Sequence, residues 1–184
     1  LERLGAVLDL ELLLLLLLTG WLCTQTTNAQ EKKVPAKQTD QASSTDKALA
    51  KLDTKKVLYK KVGDVSLHLW FFYPKGHQVS DKRPAIVFFF GGGWNGGTPT
   101  QFSDQSQYLR SRGMISIVAD YRVKSRHKTS PFECVKDGKS AVRWIRAHAS
   151  EYGIDPDRLA AGGGSAGGHV AAATATVPGL NEEG

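Results

Sequence analysis

The sequence predicts an α/β fold: a mostly parallel sheet with flanking helices and an N-terminal antiparallel hairpin. Three observations predict it. Ala85-Ile86-Val87-Phe88-Phe89-Phe90 and Ile115-Ser116-Ile117-Val118-Ala119 are unbroken apolar runs, the pattern of strands covered on both faces. Stretches with apolar residues at helical spacing separate such runs. The resulting order, strand and helix in alternation, is what parallel crossover units need.

Residues 1–29 read as a signal peptide. Leu12 to Leu18 are seven consecutive leucines, in an apolar stretch shorter than the ~20 residues of a membrane-spanning helix. Thr27-Asn28-Ala29 offers small residues for cleavage after Ala29. The segment ahead of the leucines is acidic where a leader is normally basic, and it opens on Leu1; a misassigned start accounts for both. The expectation is a secreted or periplasmic protein with no membrane span after cleavage, the alternative being an uncleaved anchor. Residues 30–54 are rich in Lys, Gln, Thr, Ser, Ala and Asp and poor in large apolar groups, so they read as a disordered basic linker. Residues 55–184 are then the folded domain, incomplete at its C-terminal side.

That domain opens on two β-rich runs, Val57 to Val62 and Val65 to Tyr73, joined by the hairpin turn Gly63-Asp64. Phe102, Ser106 and Leu109 share one face of a first helix. Cys134, Gly138, Ala141, Val142, Ile145 and Ala149 line a second, opened by Pro131 and followed by Gly153. Leu159-Ala160-Ala161 is a short buried strand, and Val170 to Val177 a helical stretch ended by Pro178.

Charge and cysteines exclude several classes. The net charge is +6, and between residues 31 and 61 nine lysines face four acids. That run has no aromatic before Tyr59 to stack a base, so it reads as a solvated surface with no nucleic-acid partner. Loss of Cys23 with the leader leaves Cys134 as a lone thiol. His68, His77, His127, His148 and His169 show no close metal-ligand spacing, so neither metal nor cofactor is expected.

The chemistry concentrates in two glycine-rich turns. Gly163-Gly164-Ser165-Ala166-Gly167 stands between a strand and an alanine-rich helix, the setting of a nucleophile elbow. Small residues clear the tight backbone around Ser165, and the helix N-terminus presents amides to a nearby oxyanion. Phe90-Gly91-Gly92-Gly93-Trp94 ends another central strand, where glycines let backbone amides approach a ligand.

These residues, with Asp120-Tyr121-Arg122, Ala141-Val142-Arg143-Trp144-Ile145-Arg146, Gly153 to Arg158 and Gly163 to His169, resemble the α/β-hydrolase superfamily. The branch is that of hormone-sensitive-lipase-like and acetyl- or feruloyl-esterase-like proteins, and the likeness extends from about Val57 to Pro178. It implies an ester hydrolase acylated at Ser165, an oxyanion hole from the Gly92, Gly93 and Ala166 amides, and a small-molecule or carbohydrate ester as substrate. Trp94 is expected to wall the substrate pocket. The family usually has His before the three glycines, as a brace, where this chain has Phe90. Its acid and base follow the serine in chain order; only 19 residues follow Ser165, and no histidine lies beyond His169. The expectation is that acid and base lie beyond Gly184 and that these 184 residues alone are inactive.

Two other readings stand beside this one. A non-catalytic module of the same fold would bind a carbohydrate or protein and leave Ser165 unreactive. A nucleotide-binding oxidoreductase would use Gly162-x-Gly164-x-x-Gly167 or Gly91-x-Gly93-x-x-Gly96 for pyrophosphate, although this fingerprint belongs at the first strand of its unit with an acid about 20 residues on, where the loop at Gly91 has Tyr108 to Ser111 and the chain nearly ends after the other. Asp120-Tyr121-Arg122 is expected to anchor loops, Asp155 to Arg158 to form a turn, and Asp137 with Arg143 to form a surface or packing pair.

Overall fold

The computed structural model describes residues 36–182. The expected signal peptide, 1–29, and the first residues of the expected linker lie outside them. Strands β1 (Thr54–Val62), β2 (Val65–Phe72), β3 (Arg83–Phe89), β4 (Ile115–Ala119) and β5 (Ile154–Gly163) form one sheet in the order β1-β2-β4-β3-β5. β3, β4 and β5 are parallel, and the β1–β2 hairpin is antiparallel and joins through β2 to β4. The sheet is therefore mixed. The helices are α1 (Ala36–Ala50), α2 (Ser103–Ser111), α3 (Pro131–Ala147) and α4 (Ala166–Thr176), with a single turn at Lys124–His127. None of the described helices is long and apolar enough to cross a membrane.

Strand alternation sorts the apolar runs into two layers. Leu67, Leu69, Phe71, Val87, Phe89, Ile115 and Ile117 pack with Cys134, Ala141 and Ile145 of α3 and Val170 of α4. Trp70, Phe72 and Val118 point the other way and meet Leu49 of α1 and Phe102 beside α2. Within that second layer Ser116 donates to Ser106 at 2.8 Å, tying β4 to α2.

Three expectations are corrected. Residues 36–50, read as disordered linker, form α1. Alanine, lysine and glutamine favour a helix, and the fully buried Leu49 anchors it on the sheet while Thr54 donates to its carbonyl. Lys60, read as solvated, is buried: the register slips between Leu58 and Lys60, and this bulge turns Tyr59 and Lys60 both inward. The Asp155–Arg158 run lies within β5 instead of preceding it, where the pairing with β3 jumps from Arg83↔Ile154 to Ala85↔Leu159. Asp155 holds the run by accepting from the Asp157 amide and the Arg158 guanidinium.

Candidate active site

The two glycine turns leave adjacent parallel strands at one level, since Phe89, the last residue of β3, pairs with Gly163, the last of β5. Each chain then bends over the carboxyl end of the sheet. At the first bend Ser165 has φ 50° and ψ −119°, a sparsely populated conformation for a residue with a side chain. The Gly167 amide donates to Gly164 O at 2.8 Å and closes the turn, and α4 starts at Ala166. The serine is exposed, and no side chain among the described residues hydrogen-bonds its hydroxyl.

The second bend is held rigidly from behind. Phe90 is fully buried and stacks on Tyr121 at 4.2 Å between ring centroids. The Tyr121 hydroxyl donates to Phe90 O at 2.5 Å, and burial pushes this phenol up, which keeps the donor proton in place. The Arg126 guanidinium lies over the Phe90 ring and pairs with Asp120. An aromatic stack thus braces the loop where the resembling family has histidine. Gln101 accepts from the Gly91 amide at 2.5 Å. The Gly92 and Gly93 amides donate to no protein acceptor among the described residues, nor does that of Ala166. A Cβ on Gly91 would stand 2.8 Å from Gly164 O, which measures how closely the two turns approach.

Tyr121→Phe keeps the ring stack but leaves Phe90 O buried without its donor, and is expected to cost about 1–3 kcal/mol. Urea denaturation reads this, with an unchanged m-value.

Trp94 is part-buried beside the loop, edge-on to His169 with centroids 5.4 Å apart. It lines a depression of about 540 Å³. His169 is exposed one turn beyond Ser165. The other four histidines are engaged elsewhere. His77 faces Tyr152 O, His148 faces Trp144 O, and His68 packs against Trp70. His127 accepts from the Val123 amide, and burial holds it down at about 4, hence neutral. Cys134 is no rival nucleophile, because burial pushes its thiol up to about 12.

Asp137 does not pair with Arg143. It is fully buried, accepts two bonds from the Arg122 guanidinium and one from the Arg122 amide, and lies 3.0 Å from Lys60 Nζ. Glu182 closes the group against Lys60 at 2.7 Å and Arg122 at 2.5 Å. Burial works to raise the Glu182 carboxyl, but Lys60 and Arg122 outweigh it and hold the group below the usual carboxylate range. This cluster fixes Arg122, and with it the Asp120-Tyr121 corner that braces Phe90. Sequence reasoning missed Lys60, Gln101 and the Tyr121 hydroxyl, and only Tyr121 carried a signal, as part of the Asp120-Tyr121-Arg122 run.

A strained serine between a parallel strand and a helix, beside unpartnered glycine amides, defines an α/β-hydrolase. Known proteins agree. The BD-FAE family profile matches residues 71–183. Carboxylesterase NlhH of Mycobacterium tuberculosis is 35% identical over 101 residues, 54% of this chain and 31% of the relative. Probable carboxylic ester hydrolase LipM of the same organism is 34% identical over 128 residues, 65% of this chain and 29% of the relative. The apo form of Thermogutta terrifontis esterase 2 superposes with a TM-score of 0.69 at 51% identity, over 70% of this chain and 48% of that one. The chain belongs to the BD-FAE family and has the fold of α/β-hydrolase esterases. It spans about a third of the length of these curated relatives and about half that of the solved esterase.

Proposed function

We propose that the protein is a serine carboxylesterase cleaving short acyl esters, including esters on carbohydrates, through an acyl-enzyme at Ser165. The carrying observation is the strained, exposed Ser165 beside the unpartnered amides of Gly92, Gly93 and Ala166. In this reading the Ser165 hydroxyl attacks the ester carbonyl, and the three amides take up the negative charge that develops on its oxygen. A base accepts the serine proton and passes it to the departing alcohol, and water then releases the acid. In the chain order of this fold the acid and the base both follow the serine. Thermogutta terrifontis esterase 2 has been solved with propionate and with butyrate bound and phosphorylated by paraoxon, which favours short acyl groups and a reactive serine here. The leucine-rich residues 1–29 support action outside the cytoplasm.

The full-length protein is expected to hydrolyse p-nitrophenyl acetate, with kcat lower by at least about 10⁴-fold in Ser165→Ala. An unchanged rate in the variant overturns the assignment. Saturable carbohydrate binding without hydrolysis supports the non-catalytic reading instead.

A further inference from the structure

The depression beside the oxyanion loop is lined by Gly93, Trp94, Lys124, Lys128, Thr129, Ser130 and Pro131. Its polar character is one-sided. Lys124 and Lys128 are exposed, stand one helical turn apart, and have no ion-pair partner among the described residues. Two like charges at that spacing repel each other mildly, so an anion between them relieves a cost as well as gaining an attraction. Two further lining groups, Trp94 Nε1 and Thr129 Oγ1, are buried without any hydrogen-bond partner. An orphaned polar group costs roughly 1–3 kcal/mol, so both side chains stand to gain from a rearrangement that brings them an acceptor.

The acids flanking these residues in sequence are engaged with other groups. Glu133 accepts from the Ser130 amide and hydroxyl and faces Lys136, and Asp120 is held by two nitrogens of Arg126. The depression therefore presents two free cations beside the Trp94 side chain, next to one of the amides proposed to bind the oxyanion. We infer that this depression is a substrate subsite for a carboxylate, so that the preferred esters carry a negatively charged carboxylate on the portion lying along Trp94. The inference rests on the hydrolytic reading for the word substrate, and the subsite itself is testable without turnover.

The test uses the Ser165→Ala form of the whole protein, which cannot acylate, and follows the Trp94 indole ¹H–¹⁵N resonance, assigned by comparison with Trp94→Phe. Monomethyl succinate, an ester with one free carboxylate, is titrated against dimethyl succinate. The monoester is expected to shift the resonance saturably and to bind roughly tenfold more tightly, the combined effect of two exposed charges. The preference is expected to fade at high salt and to vanish in the Lys124→Ala/Lys128→Ala double variant, while Lys124→Arg/Lys128→Arg retains it. Equal affinity for the two esters, an unchanged preference in the alanine double variant, or no shift of the Trp94 resonance overturns the subsite. These outcomes are separate from the fate of the hydrolytic reading, which is decided by turnover at Ser165.

Discussion

Alanine at position 167 is expected to break the site and most of the domain's stability together. Gly167 sits at the second residue of α4, where its Cα presses on the end of β3: a Cβ there would overlap the carbonyl oxygens of Phe89 and Phe90 and lie 2.6 Å from the Phe89 carbonyl carbon. Those atoms belong to backbone. Phe89 is paired on both sides, to Ala119 and Gly163, and Phe90 O is held by Tyr121, so neither can yield without moving the central strand. Relief requires α4 to lift off, which separates Ser165 from the Gly92 and Gly93 amides. Gly167→Ala is expected to cost on the order of 4 kcal/mol, in the range reserved for overpacked backbone. Gly168→Ala is the control: its Cβ would meet Gly163 O at 3.2 Å, which a shift of a few tenths of an ångström accommodates. Urea denaturation of the two variants measures the contrast, and equal losses would show that the close approach of α4 to β3 is not what holds the elbow.

Asp137→Asn is expected to be as damaging for an electrostatic reason. Lys60 and Asp137 are fully buried, Arg122 nearly so, and with Glu182 they form a group of two cations and two anions. Removing the central anion leaves a net positive charge in a medium that solvates it poorly, and breaking such a cluster typically costs about 3–5 kcal/mol. The damage extends to the site, because Arg122 adjoins Tyr121, whose ring and hydroxyl brace Phe90. Glu182 adds a pH signature. Its folded carboxyl lies below the usual range, so its contribution is fully present above pH ~4.3 and is lost as the pH falls through the lowered value. Thermal denaturation from pH 7 down to pH 3 is therefore expected to show a shallower acid decline in Glu182→Gln than in the parent.

What was legible in the sequence was what is written locally. The unbroken runs at 85–90 and 115–119 gave buried parallel strands, and Gly63-Asp64 gave the hairpin. The two glycine motifs gave two turns at neighbouring strand ends, which the Phe89↔Gly163 pairing confirms. What stayed hidden depends on distant partners. Lys60 turns inward because of a bulge at Tyr59, and no glycine or proline marks that bulge. α1 is held by the single large side chain of Leu49 against residues some 20 or more positions away, so composition alone reads as linker. Asp137 and Arg143 are close in sequence, but a spacing of six does not bring two residues together on a helix. Asp137's partners come instead from β1 and from the chain just past β4. The support for the Phe90 loop likewise comes from Tyr121, one crossover later.

The proposed hydrolysis rests on a reactive hydroxyl at Ser165 that faces amides able to hold an oxyanion. Fluorophosphonate labelling of the full-length protein, followed by peptide mass spectrometry, tests it most directly. A single adduct on Ser165 that disappears in Ser165→Ala is the predicted result; an unlabelled Ser165, or an adduct that survives the substitution, would contradict it.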